Sequence, residues 1–112
     1  MVQETHAWIQ FGSATYPIPY GSTVRIGRSI ESNLRLFEDT SVSRDHCEIT
    51  SHGTRVEVTD LKSRNGTKLN GHRISSPTEL QHRDVITVGE SSLIILFELG
   101  GDSEDPSSTM QI

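Results

Sequence analysis

The stretch SVSRDHCEIT, Ser41 to Thr50, decides how this chain is read. Its second half, HCEIT, alternates in the two-residue period of a half-buried strand. Its first half places Ser43, Arg44, Asp45 and His46 together where that strand begins. Strand formers alone would have served a sheet, so these polar residues need a reason of their own.

Working outward, short alternating or β-branched runs recur about every ten residues: AWIQF (7–11), TVRIG (23–27), LRLF (34–37), RVEVTD (55–60), DVITVG (84–89) and SLIILFEL (92–99). Gly, Pro, Asn and Ser punctuate them, and no segment sustains a 3.6-residue apolar period. The pattern predicts an all-β protein, a β-sandwich of two mainly antiparallel sheets. Asn-Gly at 65–66 and again at 70–71 supplies residues that tolerate positive φ, so two tight turns around TKL predict a short hairpin at one end of the sandwich. PIPYGS (17–22) reads as a loop or sheet edge, because proline cannot donate to a ladder.

A length of 112 residues suits one domain with a modest core. The predicted organisation is a short segment over 1–6, the domain over 7–99, and an acidic, Ser-rich tail over 100–112 with the composition of a disordered linker to further protein. The net charge is −5, which argues against a general nucleic-acid binder. The positive charge is nearly all arginine, with only Lys62 and Lys68 as lysines, and an acidic chain can still gather arginines around one anion. A single cysteine, Cys47, cannot form an internal disulfide, and there is neither a secretory signal nor an apolar run of membrane-spanning length. The chain is expected to be intracellular, nuclear or cytoplasmic, with no membrane association.

Three loops carry more chemistry than turns require: IGRS (26–29), SVSRDH (41–46) and LKSRNGTKLNG (61–71). Each presents an arginine beside small hydroxyl or amide residues. Guanidinium binds phosphate through two parallel hydrogen bonds, while serine hydroxyls and backbone N–H groups fill the remaining acceptors. Loops at one end of a sandwich converge, so three such loops suit one dianionic ligand.

The ordered set Gly27-Arg28, Ser43-x-x-His46 with Ile49, Asp60-Leu61-x-Ser63-x-Asn65-Gly66-Thr67-x-Leu69-Asn70-Gly71, and Leu80, Asp84 and Gly89 resembles the forkhead-associated (FHA) domains, β-sandwiches of the SMAD-like type that read phosphothreonine peptides. The resemblance implies a phosphorylation-dependent interaction module whose ligand loops lie at one end. It implies that Arg28, Ser43 and Arg44 grip the phosphate and that Asn65 holds the peptide backbone. Ser41 and Arg64 would tune preference for the third residue after the phosphothreonine. Gly27, His46, Gly66 and Thr67 would be structural at the site. The expected partner is a phosphothreonine-containing protein, in signalling such as the DNA-damage response, the cell cycle or kinase pathways. Many members carry Ser or Thr immediately before the Asn-Gly, whereas this chain has Arg64, a cation suited to acidic flanking residues. Thr109, three residues before Ile112, resembles threonine motifs read by some members, so its phosphorylation would allow self-association.

Other chemistries fit less well. His46 and Cys47 are neighbours on a strand and diverge, and a Ser43, Asp45 and His46 triad needs geometry that proximity in sequence does not supply. No enzyme activity, cofactor or metal is expected, since the five histidines are scattered singly and no Cys pair exists. Asn65-Gly66-Thr67 matches a glycosylation acceptor but reads as a turn. The alternative to a phosphothreonine reader is a structural or phosphorylation-independent interaction sandwich with a vestigial pocket.

Overall fold

In the computed structural model, which describes residues 5–98, the alternating runs become strands, and no helix occurs among the described residues. The strands are β1 (Thr5–Phe11), β2 (Ala14–Pro19), β3 (Thr23–Gly27), β4 (Leu34–Arg35), β5 (Cys47–His52), β6 (Arg55–Asp60), β7 (Thr67–Leu69), β8 (His72–Arg73), β9 (Thr78–Glu79), β10 (Val85–Val88) and β11 (Ser91–Phe97). They form a six-stranded sheet in the order β2-β1-β11-β10-β7-β8 and a five-stranded sheet in the order β4-β3-β5-β6-β9. Among the described residues every strand pairing is antiparallel except β3 with β4. The all-β sandwich expected from the sequence is the observed fold.

Alternation explains how the two sheets face each other. In β5 the buried positions are Cys47, Ile49 and Ser51, in β6 Val56 and Val58, and in β10 Ile86 and Val88. With Ala7, Ile9, Ile26, Leu93 and Ile95, all of these but the polar Ser51 close one apolar core from both sheets. Register is thereby fixed, since a slip of one residue would turn every inward side chain to water. In β1, Phe11 packs against the core, and Trp8, half-buried, alternates with buried Ala7 and Ile9. No helix of the described residues is long and apolar enough to cross a membrane.

Several local expectations change. LRLF gives only the two-residue β4: the Leu36 N–H makes the last parallel ladder bond, to the Gly27 carbonyl at 2.9 Å, and Phe37 turns outward, 59% exposed. PIPYGS, read as a loop or sheet edge, supplies both: Pro17–Pro19 end the strand Ala14–Pro19, the outermost of its sheet, where a missing N–H costs no ladder bond, and the chain turns after it. Asn70-Gly71 forms the expected hairpin turn between β7 and β8, with φ of 51° and 88°. Asn65-Gly66 does not make a second hairpin: β6 and β7 lie in different sheets, so this turn carries the chain across the sandwich. The segment 100–112, with Thr109, lies outside the described residues.

The end of the sandwich that bears the loops is held by close backbone approach. Beyond the β3–β5 ladder, the Arg28 N–H donates to the Ser43 carbonyl at 3.1 Å and the Ser29 N–H to the Arg44 carbonyl at 3.1 Å. A Cβ on Gly27 would stand 2.0 Å from that Arg44 carbonyl oxygen, an impossible contact with main chain rather than with a flexible side chain. Gly27→Ala is therefore expected to destabilise the fold by about 1–3 kcal/mol through overpacking, seen as a lower midpoint in denaturant unfolding. An unchanged midpoint would show that the two loops can separate freely.

Candidate functional site

Three loops meet at this end: 28–33 after β3, 36–46 before β5, and 61–66 between β6 and β7. The piece that joins two of them is His46, whose ring is completely buried. Its Nδ1 accepts the Ser43 N–H at 3.0 Å, and its Nε2 lies 2.8 Å from the Gly66 carbonyl oxygen. A carbonyl only accepts, so Nε2 carries the hydrogen and Nδ1 the lone pair. The arrangement selects the neutral Nε2–H tautomer and leaves no ring position for a ligand.

The 61–66 loop is closed at its base by Asp60. Its carboxylate accepts from the Ser63 hydroxyl at 2.5 Å, the Ser63 N–H at 3.2 Å and the buried Thr67 hydroxyl at 2.7 Å. Burial alone would raise the Asp60 pKa, but these hydrogen bonds outweigh it and the net shift is downward. Thr67 is thus tied to the loop from its far end, and Gly66 turns the chain into β7 with φ of 82°.

The ligand-facing groups are partly spent and partly free. Ser43 Oγ accepts the Arg64 N–H at 2.9 Å, so its own O–H remains to donate elsewhere. Arg28 donates Nε–H to the Val42 carbonyl at 2.6 Å, which anchors the guanidinium and leaves its terminal amino groups. Asn65 donates from Nδ2 to the Ser41 carbonyl at 2.8 Å, keeping Oδ1 and one N–H. Arg44 and Arg64 are exposed. Ser41 is more committed than the sequence suggests: both its hydroxyl and its N–H donate to Asp39.

Charge is arranged unevenly. Arg25 lies 3.3 Å from Glu48 and 3.9 Å from Asp45, and Arg55 lies 3.6 Å from Glu57. Among the described residues no carboxylate stands within ion-pair distance of Arg28, Arg44 or Arg64. An acidic protein therefore keeps unneutralised arginines on loops that converge, which is an electrostatic setting for an anion. Cys47 behind them is inert, its thiol pushed up to about 12 by burial and by the Asp60 and Glu48 carboxylates. No cluster of three metal-ligating side chains occurs among the described residues.

Sequence reasoning missed Asp39. It accepts from the Ser41 N–H at 3.0 Å and the Ser41 hydroxyl, from the Glu90 N–H at 2.8 Å and from the Ser91 hydroxyl at 2.7 Å. It thereby ties the 36–46 loop to the turn between β10 and β11. The available signal was local, since Asp followed two residues later by Ser41 is the pattern of an Asx turn; the bonds to Glu90 and Ser91 are non-local.

A family model described as "FHA domain" matches residues 24–89. The chain is 36% identical over 91 residues to an FHA domain-containing protein of Arabidopsis thaliana, covering 80% of this chain and 24% of that protein. It is 38% identical over 71 residues to the human proliferation marker protein Ki-67, covering 63% of this chain and 2% of Ki-67. The chain thus spans a quarter or less of these relatives. A crystal structure of the MEK1 FHA domain in complex with a HOP1 phosphothreonine peptide superposes with a TM-score of 0.76 at 28% identity, covering 84% of this chain and 98% of that one.

Burial would raise the Asp39 pKa, but hydrogen bonds from the Ser41 and Ser91 hydroxyls and from backbone N–H groups of Glu90 and Ser41 prevail and lower it from 3.8 to about 2. A depressed carboxylate stabilises the fold in full above its unfolded pKa, and that contribution is lost as pH falls through the folded value. Asp39→Ala is expected to cost about 1–2 kcal/mol at neutral pH, allowing for solvent screening at this partly exposed site. The gap from wild type should close as pH falls from 3.8 to about 2, measured by urea unfolding across that range. A gap independent of pH would show that packing, not charge, is what Asp39 supplies.

Proposed function

This chain belongs to the FHA domain family, and on that footing we propose that it binds phosphothreonine-containing segments of partner proteins, recruiting them once a kinase has acted. The observation that carries this reading is the convergence of Arg28, Ser43 and Arg64 around a junction held by His46, with the guanidinium groups free of carboxylates and the Ser43 hydroxyl proton unspent. The MEK1 domain, seen with a phosphothreonine peptide, supports the same ligand class.

In this reading Arg28 and Ser43 contact the phosphate, Arg44 swings in as a third donor, and Asn65 presents its amide oxygen and remaining N–H to the peptide backbone. Arg64 and Ser41 border the position that sets flanking preference, with Ser41 acting through its place in the loop. Gly27, His46, Gly66 and Thr67 hold these groups in register. The independently folding unit is residues 7–99, acting inside the cell.

The magnitudes agree. Phosphothreonine carries nearly two negative charges at neutral pH, and a hydrogen bond to a charged group is worth about 1.5–3 kcal/mol. A micromolar complex needs about 8 kcal/mol, within reach of two arginines, a serine and backbone clamps after ordering costs. Burying the threonine γ-methyl adds about 0.8 kcal/mol, roughly fourfold over phosphoserine.

Fluorescence anisotropy with an oriented phosphothreonine peptide library tests the proposal. Wild type should saturate with phosphothreonine peptides and ignore unphosphorylated ones. Arg28→Ala should lose roughly thirtyfold or more in affinity while keeping its circular dichroism spectrum. Equal binding by Arg28→Ala, or no phosphopeptide bound by wild type, would overturn it.

A further inference from the structure

The β7–β8 hairpin carries a pair of like charges that the fold leaves unanswered. Lys68 and Arg73 are cross-strand partners, and both are exposed. The Ile74 N–H donates to the Thr67 carbonyl at 3.0 Å, so by alternation the adjoining Lys68–Arg73 pair is a non-hydrogen-bonded one, the closer kind. Like charges directly opposite destabilise a sheet. Their next neighbour across the sheet from Lys68 is uncharged Thr87, and no carboxylate among the described residues pairs with either cation. Asp84, just before β10, is occupied by the Asn70 amide and the Gln81 N–H.

Arg73 is also placed beside the phosphothreonine site. A Cβ on Gly66 would lie 2.4 Å from Arg73 Nε and 2.7 Å from its Cζ, so the guanidinium lies over the Gly66 backbone. Gly66 is the residue whose carbonyl meets His46, and it follows Asn65 directly. A cationic strip therefore runs from Arg64 across Gly66 to Arg73 and Lys68. Resting on the phosphothreonine reading above, we infer that Lys68 and Arg73 form a second anion subsite, which binds an acidic group on the same peptide, a carboxylate or a second phosphate in the sequence flanking the phosphothreonine. A bound anion neutralises the Lys68–Arg73 repulsion, so the subsite is selective for charge rather than for shape.

The test is anisotropy on phosphothreonine peptides with neutral flanks, against the same peptides with one glutamate, or one phosphoserine, walked along both flanks. Wild type should gain about fivefold at one acidic position in low salt, more with phosphoserine than with glutamate, and the gain should fade as salt rises. Arg73→Gln and, separately, Lys68→Gln, which leaves the Gly66 contact untouched, should each remove most of the gain and keep neutral-flank affinity within about twofold. A gain that persists in both variants, or no gain at any position, overturns the subsite while leaving phosphothreonine binding standing. If neutral-flank phosphothreonine peptides fail to bind wild type, the primary reading falls and the subsite with it.

Discussion

Everything at the loop end depends on one buried imidazole. His46 stands between a segment leading into the five-stranded sheet and a turn leading into the six-stranded one, accepting from the first and donating to the second. Removing the ring would leave an N–H and a C=O without partners in a dry place, at a cost of about 1–3 kcal/mol each. The same two bonds fix where Ser43 and Asn65 stand relative to each other, so the stability of the junction and the geometry of the site are one property. A histidine suits this position because it alone offers an acceptor and a donor at opposite edges of one rigid ring.

Two acids of the loop end, Asp39 and Asp60, are held in a way that keeps the arginines available. Asp39 and Asp60 are both held by hydroxyls and backbone N–H groups, not by arginine. A carboxylate satisfied in this way stays ionised and braces its loop without consuming a guanidinium. The long-range field of these acids still draws on the arginines, but no bidentate partner competes with an incoming phosphate. This is how a chain of net charge −5 retains an anion site.

The fold was legible wherever inward and outward residues alternate. TVRIG and RVEVTD occupy their strands with the expected bounds because one side of each is core and the other is water. LRLF misled because hydrophobic residues there serve two purposes: Leu34 and Leu36 are buried, while Phe37 is outside with the Arg35 guanidinium 5.3 Å from its ring centre. Asn65-Gly66 has the composition of a hairpin turn, and only the sheet order shows that it bridges sheets. In the candidate site, Arg28, Ser43, His46 and Asn65 were legible through an ordered motif set. Asp39 and Arg73 were not, because their roles rest on contacts with Glu90 and Gly66 that no local pattern encodes.

Preorganisation ranks the phosphate donors of the proposed complex. Arg28 is anchored through Nε and its own N–H, so most of its rotamer freedom is already lost in the free protein. Ser43 is fixed by bonds at N–H and Oγ. Arg44 is pinned only through its carbonyl, against the Ser29 N–H, while its side chain stands in solvent. Immobilising such a side chain costs about 0.5–1.5 kcal/mol, which offsets much of one charge-assisted hydrogen bond. Two arginines of equal charge, one residue from the same serine or bonded to its carbonyl, would therefore be unequal partners in the proposed complex: Arg28 would contribute nearly its full interaction with a phosphate, and Arg44 only the surplus left after it has been ordered.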